Sequence, residues 1–425
     1  MLLLADFVKA EIGKTLLLSL LFSVAAGFAS YFLIKEYIPI FIGRGFFGRD
    51  QCKKDKVEVA EPLGVVAAAV YLIFVFAFIP FPSYQWISEA GFYTDSANAH
   101  LPYVRLLSLL AGIISICTAI LLGFADDMLD LRWRHKLLFP TLSSLPLLMV
   151  YYISDDQTAM LLPTFLQKYL NTTYLELGPL FYVYMAMLVI FCTNAINIIA
   201  GINGIEVGQS LVIAVSVAIY NLIQIYRLDQ STIWYHCLSI CLLGPFIGTS
   251  FGLFMWNRYP ARVFVGDTYC YWAGMTLAVV AISGHFSKTL LLFLIPQIFN
   301  FLYSCPQLFK LVPCPRHRLP RLDSSTGKLG MSMTEFKAEN VGKFGRLAIW
   351  ILRSFGLLHY EEFVQDEQRW IRVNNMTILN LVLKFAGPLY EYQLNNYLLC
   401  VQTVCSIFAF ACRFVFSRFF YETIH

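Results

Sequence analysis

Residues 15–34 read TLLLSLLFSVAAGFASYFLI, a run of 20 residues without a charged side chain. A helix of about 20 apolar residues is long enough to cross the hydrocarbon core of a bilayer. The run is also longer than the roughly 7–15 apolar residues of a secretory signal peptide. We therefore interpret it as a retained first membrane span.

The composition of the whole chain agrees with that interpretation. Of its 425 residues, 58% are hydrophobic and only 14% are charged, whereas a soluble globular protein carries about 25% charged residues. The same composition excludes disordered, collagen-like and small disulfide-rich chains. Because the net charge of +4 is modest, we predict no nucleic-acid partner.

Apolar stretches of span length recur along the chain and predict an all-α polytopic membrane protein with about ten transmembrane helices. We treat residues 1–425 as one transmembrane domain, in which the polar segment 312–394 forms a small cytoplasmic cap before the last span. The predicted spans are 15–34, 63–82, 102–124, 137–153, 178–199, 206–226, 233–254, 269–284, 288–311 and 395–417.

Basic residues distinguish the two sides of the membrane. The loops after the first, third, seventh and ninth spans are rich in Lys and Arg, and the alternate loops are poor in them. Since Lys and Arg accumulate in cytoplasmic loops, these loops are predicted to be cytoplasmic and both termini to lie on the opposite side. The sequon at Asn171 is then available for glycosylation, whereas the sequon at Asn375 is not.

The first of four polar motifs is FADDMLDLRWRHK at 124–136, at the cytoplasmic end of the third span. It combines the carboxylates of Asp126, Asp127 and Asp130 with the ammonium group of Lys136. Carboxylates suit Mg²⁺, and a lysine suits a phosphate. The alternative is a solvated loop that neutralises its own charge.

Two further motifs combine amides, a carboxylate and glycines. The segment NAINIIAGING at 194–204 places Asn194 and Asn197 on one helical face, followed by glycines that permit close approach of a ligand. The segment RVFVGDT at 262–268 offers one carboxylate three residues after an aromatic ring. The alternatives are a polar span end with a glycine turn, and an aspartate that forms a turn.

The fourth motif, PCPRHRLPR at 313–321, is a proline-stiffened basic segment that suits an anion. Its alternative is a cytoplasmic anchor of positive charge. Cys314 and His317 lack the further ligands that zinc needs. The segment GRGFFG at 43–48 fits a dinucleotide-binding pattern but follows a membrane span without a βαβ unit, so we reject that function.

Together the four motifs predict phosphoryl-type transfer on a metal-bound diphosphate beside a lipid, because this reaction depends mainly on positioning and electrostatics. The alternative from another class is a transporter of nucleotide sugars or lipids. A transporter needs polar residues in the middle of the membrane, and the spans contain few.

The motifs GFADD (123–127), LRWRHK (131–136), TNAINI (193–198), AGING (200–204), RVFVGDT (262–268) and PCPRHR (313–318) carry a family resemblance. The chain resembles the polyprenyl-phosphate N-acetylhexosamine-1-phosphate transferase superfamily, specifically its eukaryotic N-acetylglucosamine branch. The resemblance implies transfer of GlcNAc-1-phosphate from UDP-GlcNAc to dolichyl phosphate, with loss of UMP, as the first step of lipid-linked oligosaccharide synthesis for N-glycosylation. A different polyprenyl phosphate or sugar nucleotide remains the alternative within the superfamily.

The resemblance also implies the setting of the reaction. It implies ten spans in the endoplasmic reticulum membrane, lumenal termini, a cytoplasmic active site, Mg²⁺ as cofactor, inhibition by tunicamycin and a homodimer in the lipid bilayer.

By the same resemblance, Asn197 and Asp267 hold Mg²⁺ on the diphosphate, and Lys136 contacts the lipid phosphate. Asp126 and Asp127 are the acidic pair, acting either as a base or as groups that organise Lys136. The run implied to line the lipid-phosphate groove consists of Phe191, Cys192, Thr193, Asn194, Ala195, Ile196, Asn197 and Ile198.

The resemblance finally implies a pocket for UDP-GlcNAc. The basic motif clamps the diphosphate and shapes the sugar pocket, and the tryptophan of the first motif lies near the N-acetyl group. A glycine and an aromatic ring sandwich the uracil, which an asparagine and the segment 49–51 hydrogen-bond. The residues are Arg316, His317, Arg318, Trp133, Gly201, Phe264, Asn203, Arg49, Asp50, Gln51 and, facing the donor, Glu61.

Overall fold

The computed structural model of the protein describes residues 2–54, 57–84, 101–154, 158–227, 230–315, 317–365 and 367–420. Within these ranges the α-helices are α1 (Leu2–Gly43), α2 (Gly64–Phe78), α3 (Leu101–Leu129), α4 (Trp133–Ile153), α5 (Thr164–Leu170), α6 (Pro179–Ile198), α7 (Ile205–Arg227), α8 (Gln230–Asn257), α9 (Gly266–Ser283), α10 (Ser287–Phe293), α11 (Ile295–Leu308), α12 (Lys343–Ser354), α13 (Ile378–Ala386), α14 (Glu391–Ala411) and α15 (Ser417–Phe420).

Eight of the described helices are long and apolar enough to cross a membrane: α1, α2, α3, α4, α6, α7, α8 and α14. The pair α10–α11 passes the same test as one unit, although the two helices are bent by 72° relative to each other. The predicted all-α membrane architecture is therefore confirmed. The stretch 288–311, predicted as one span, is broken at Leu294, and Pro296 begins the second helix, where its missing N–H leaves no hydrogen bond unmade.

Helix α9 is the centre of the bundle. Its residues from Thr268 to Ile282 are buried against the surrounding helices α3, α6 and α8. Glycine makes the closest approach possible, since a Cβ atom on Gly274 would lie 2.3 Å from the carbonyl oxygen of Cys192 on α6. The first residues of α9 are polar, and α9 lies inside the protein with its N-terminus at the cavity described below.

Small residues also join α1 to α8. A Cβ atom on Gly248 would lie 2.0 Å from the carbonyl oxygen of Ser23, and one on Gly27 would lie 2.9 Å from the carbonyl oxygen of Gly248. Close backbone approach between small residues is typical of helix packing in membranes. These contacts fix the first predicted span, residues 15–34, to the bundle.

The segment 312–394 contains strands as well as helices, which the sequence analysis did not predict. Strands β7 (Met333–Lys337), β9 (Gln368–Asn374) and β8 (Tyr360–Gln365) form an antiparallel sheet in the order β7-β9-β8. Its core is small and includes Phe336, Ile371 and Val373. The alternation of buried and exposed residues along β7 covers only five residues, which is too short to be recognised reliably in the sequence.

Three short antiparallel ribbons complete the structure. They are β1 (Phe47–Arg49) with β2 (Glu58–Ala60), β3 (Ala159–Leu161) with β4 (Tyr174–Glu176), and β5 (Arg321–Leu322) with β6 (Leu329–Gly330). The first ribbon positions the segment 49–51 beside the candidate site.

Candidate active site

A cavity of about 760 Å³ opens where the four sequence motifs meet. Residues from the first three motifs, the basic segment and the β1–β2 ribbon share its wall. The predicted site residues that line it are Arg49, Asp50, Gln51, Glu61, Asp126, Asp127, Asn197, Ile198, Gly201, Asn203, Phe264, Asp267, His317 and Arg318.

Lys136 is not among the residues that line the cavity, but it pairs with two carboxylates that do. Its Nζ atom lies 2.9 Å from Asp126 Oδ2 and 2.9 Å from Asp267 Oδ2. The other oxygen of Asp267 accepts a hydrogen bond of 2.5 Å from Asn197 Nδ2. The structure thus brings together one residue from each of the first three motifs, from α4, α6 and the first turn of α9.

Asp127 caps the N-terminus of α9. Its Oδ1 accepts a hydrogen bond of 2.6 Å from the backbone N–H of Asp267, and its Oδ2 accepts one of 2.9 Å from that of Thr268. The hydroxyl of Thr268 also donates to this carboxylate. A negative charge satisfies the unpaired N–H groups of a helix N-terminus and complements its dipole. Asp127 therefore holds Asp267 in position.

Asp126 is buried and holds Lys136 in position through their ion pair. Its Oδ1 accepts a hydrogen bond of 3.0 Å from the backbone N–H of Leu131, and the hydroxyl of Tyr271 donates to Oδ2 over 3.3 Å. Since these bonds and the ion pair with Lys136 engage both oxygens, Asp126 orients the lysine and fixes the start of the loop after α3.

The structure limits the predicted lipid-phosphate run 191–198 to one face of α6. The side chains of Cys192, Thr193, Ala195 and Ile196 are buried, because this face packs closely against α9. The remaining members, Phe191, Asn194, Asn197 and Ile198, are half-buried and recur at helical spacing.

Asn203 lines the cavity and also lies at a junction of loops. Its Nδ2 donates to Asp50 Oδ2 over 3.0 Å, and its Oδ1 accepts from Lys53 Nζ over 2.9 Å and from the backbone N–H of Ala261 over 2.8 Å. Only 4% of Asn203 is exposed. Its amide therefore already holds the β1–β2 loop and the segment before α9 in place.

The aromatic ring of Phe264 lies beside the β1–β2 ribbon. A Cβ atom on Gly48 would lie 2.9 Å from this ring and 2.3 Å from the carboxylate of Glu61, so a larger residue there would displace the ring or the carboxylate. Burial, with the nearby charges of Asp127 and Asp267, raises the pKa of Glu61 to about 7. Gly201 has a φ of +130° and faces Leu319, a residue that the sequence analysis did not select.

The basic segment closes another part of the wall. His317 is exposed, and burial lowers the pKa of the Arg318 guanidinium. The carbonyl oxygen of Arg318 accepts hydrogen bonds from Ser332 and Asn380 of the cap, at 3.2 and 2.9 Å, so the cap fixes this segment. Arg316 and the side chain of Trp133 lie outside the described residues.

Sequence reasoning missed several wall residues. Glu206 accepts a hydrogen bond of 3.3 Å from the backbone N–H of Gly201, and its position just after the AGING motif was the available signal. Leu319 lies within the basic motif, whereas Asn257, Cys270, Thr377 and Leu379 carried no comparable signal in the sequence.

Acidic side chains dominate the charge of the cavity wall. The lining carboxylates are those of Asp50, Glu61, Asp126, Asp127, Asp130, Glu206 and Asp267. A wall of this charge repels a diphosphate unless a cation accompanies it. Asp267 and Asn197 are residue types whose side-chain oxygens Mg²⁺ prefers, so they fit that ion once Asn197 turns its amide oxygen toward it. In this arrangement Asn197 Nδ2 donates to Asp267 Oδ1.

Comparison with known proteins agrees with this geometry. The sequence model of glycosyl transferase family 4 matches residues 109–285. The UDP-N-acetylglucosamine–dolichyl-phosphate N-acetylglucosaminephosphotransferase of Saccharomyces cerevisiae is 42% identical over 399 residues, which covers 91% of this chain and 89% of the relative. The chain belongs to the family of this Saccharomyces cerevisiae enzyme. It is a multi-pass membrane phosphotransferase.

Relatives of the same name occur widely. The enzyme of Schizosaccharomyces pombe is 42% identical, covering 92% of this chain and 90% of its own length. The enzyme of Dictyostelium discoideum is 40% identical, covering 92% of this chain and 88% of its own length. The family model covers Asp126, Lys136, Asn197 and Asp267, while these long alignments extend over most of the chain.

Proposed function

We propose that this enzyme transfers GlcNAc-1-phosphate from UDP-GlcNAc to dolichyl phosphate, giving GlcNAc-diphosphate-dolichol and UMP, as the first step of lipid-linked oligosaccharide synthesis for N-glycosylation. The observation that carries the proposal is the Lys136–Asp267–Asn197 cluster, in which Asp267 and Asn197 line a cavity of about 760 Å³. Relatives named for this reaction, about 40% identical over most of the chain, support the choice of substrates.

The reaction needs no general base. An oxygen of dolichyl phosphate forms a bond to the β-phosphorus of UDP-GlcNAc, and the bond from that phosphorus to the bridging oxygen breaks, so that UMP leaves with the electron pair. The second pKa of a phosphate monoester is about 6, so the attacking oxygen is already ionised near neutral pH. Lys136 would bind the lipid phosphate, and Asp126 would orient Lys136.

Asp267 and Asn197 would hold Mg²⁺ on the donor diphosphate. When bound, the ion would neutralise charge on the diphosphate and on the leaving UMP. Asp127 would act indirectly, because its hydrogen bonds to the start of α9 fix the direction of the Asp267 side chain. The acidic pair would therefore both position other groups rather than accept a proton.

The nucleotide would lie near Phe264, with the sugar and diphosphate toward the basic segment. An aromatic face stacks a base without selecting it strongly, so the hydrogen bonds from the loops around Asn203 would give the specificity. We assign Arg316, His317, Arg318 and Trp133 to the diphosphate and sugar on the resemblance stated above.

We place the enzyme in the endoplasmic reticulum membrane as a homodimer, with the cavity on the cytoplasmic side and lumenal termini. The two sequons are compatible with this orientation. Asn375 is buried, and its Nδ2 donates to Ser332 over 2.8 Å, so it cannot carry a glycan. Asn171 is exposed just after α5, on the side assigned to the lumen.

The test is UMP release from UDP-GlcNAc by the purified protein, with and without dolichyl phosphate, Mg²⁺ and tunicamycin. UMP is expected only when lipid and metal are both present, and the inhibitor should abolish it. Release with UDP-GalNAc, or with another polyprenyl phosphate in place of dolichyl phosphate, would support the alternative within the superfamily. Nucleotide-sugar flux in vesicles without any UMP would support a transporter instead.

A further inference from the structure

A buried carboxylate from the last long helix contacts the loop that lines the donor side of the cavity. Glu391, the first residue of α14, is 4% exposed, and its Oε1 accepts a hydrogen bond of 2.7 Å from the backbone N–H of Asn203. Its Oε2 is buried without a hydrogen-bond partner among the described residues. A buried carboxylate is costly, and its place in the first turn of α14, where the helix dipole favours a negative charge, offsets only part of that cost.

Asn203, which donates its backbone N–H to Glu391, connects the loops around the cavity. The side chain of Asn203 joins Asp50 and Lys53 of the β1–β2 loop to Ala261 of the segment before α9. The backbone at this point is unusual, since Gly201 and Gly204, on either side of Asn203, both have positive φ values. A contact at the Asn203 N–H therefore fixes three loops at once.

Glu391 lies in a network of charged groups that includes Lys53. Asp50 accepts hydrogen bonds from Cys52 N–H and Asn203, and Lys53 Nζ lies 2.9 Å from Asp50 Oδ2. The ligand atoms of Asp50, Cys52 and Glu391 lie within 4.8 Å of one another. Because Lys53 already supplies the positive charge, we interpret the cluster as a scaffold.

We propose that Glu391 is a positioning residue for the nucleotide half of the donor, acting through the Asn203 loop. The proposal rests on the proposed function, because it takes UDP-GlcNAc as the occupant of the cavity. Glu391 lies outside the stretch matched by the family model, and it follows Asn203 by 188 residues in the sequence.

Two variants of Glu391 separate the effect of its hydrogen bond to Asn203 from the effect of its negative charge. Glu391→Leu has similar volume but no acceptor for the Asn203 N–H, whereas Glu391→Gln keeps a carbonyl acceptor. We expect Glu391→Leu to raise the KM for UDP-GlcNAc about tenfold, since a hydrogen bond to a charged group is lost. The KM for dolichyl phosphate should stay within about twofold, and Glu391→Gln should restore most of the donor affinity.

Asn374→Leu is the matched control. Asn374 is also buried, and its Oδ1 accepts a hydrogen bond of 2.7 Å from the backbone N–H of His359 in the cap. This variant should lower thermal stability without a selective change in the KM for UDP-GlcNAc. If folded Glu391→Leu keeps the wild-type donor KM, or loses activity in the same unselective way as the control, the proposal is wrong.

Calorimetric titration with UDP keeps this test separate from the proposed function. If the wild-type protein binds UDP without releasing UMP from UDP-GlcNAc, the proposed reaction fails, and the positioning proposal is judged on UDP affinity alone. Weaker UDP binding by Glu391→Leu than by Glu391→Gln then supports the proposal. Equal UDP affinity, or no UDP binding by the wild-type protein, overturns it.

Discussion

Two lysine-centred networks border the cavity, and they differ in the partners of the lysine. Each lysine has a buried carboxylate partner, Asp126 for Lys136 and Asp50 for Lys53. Lys136 has in addition Asp267, whose side chain is 23% exposed, whereas the further partner of Lys53 is the buried amide of Asn203. The two lysine side chains are similarly exposed, 22% for Lys136 and 24% for Lys53, so exposure does not distinguish the two networks.

Net charge does not separate the two networks. Two carboxylates and one ammonium group leave the Lys136 network with an excess negative charge, which favours a bound cation. Lys53 and Asp50 balance each other, but the carboxylate of Glu391 lies beside Asp50. The partners do differ, because the second network joins loops through the amide of Asn203. We propose that the first network carries the chemistry and that the second holds loops in place.

The largest effect is expected from Asp267→Asn. The change removes the cavity-facing charge with little change in volume, so UMP release should fall by about 10²–10³-fold while the protein stays folded in detergent. Asp130→Asn is the control, because Asp130 also lines the cavity and its φ of 48° is one that asparagine tolerates. Wild-type turnover by Asp267→Asn would remove this residue from the chemistry.

A smaller loss is expected when the cap of α9 is changed. Asp127→Ala removes the acceptor for two backbone N–H groups, which should cost about 1–2 kcal/mol of stability and lower turnover. Asp127→Asn keeps one acceptor and cannot serve as a base. Turnover by Asp127→Asn well above that of Asp127→Ala supports a positioning role; equal inactivity with unchanged melting temperatures would indicate a base.

The smallest effect is expected at the glycine beside Phe264. Gly48→Ala would push against the aromatic ring and Glu61, so the KM for UDP-GlcNAc should rise by roughly threefold to tenfold, a cost of about 1 kcal/mol. Gly43→Ala is the matched variant, because nothing lies within 4 Å of a Cβ atom at that position. Identical donor KM values for the two variants would contradict a donor site beside Phe264.

The sequence predicted the helical membrane architecture because apolar stretches of span length are strong signals. It also selected Asp267, Lys136 and Asn197, and in the structure Asp267 accepts a hydrogen bond from each of the other two. Their motifs were recognisable because several polar residue types recur together at the ends of apolar spans, where burial alone would not explain them.

The sequence could not predict which partner each polar side chain hydrogen-bonds in the folded protein. Nothing in the motif distinguished Asp126, which supports a lysine, from Asp127, which caps a helix from another segment. Asn203 was selected as a base-binding residue, and nothing in its motif showed that its amide also contacts two other segments, the β1–β2 loop and the segment before α9. Glu391 was missed because its partner is a backbone group 188 residues away. Such pairings depend on tertiary packing.

The division between the two networks is tested most directly by comparing Lys136→Met with Lys53→Met in steady-state kinetics with both substrates varied. We predict that Lys136→Met lowers kcat by about 10²-fold, whereas Lys53→Met leaves kcat nearly unchanged and raises the KM for UDP-GlcNAc by about threefold to tenfold. The same pattern in both variants, or a loss of kcat only in Lys53→Met, would contradict the assignment of chemistry to the Lys136 network.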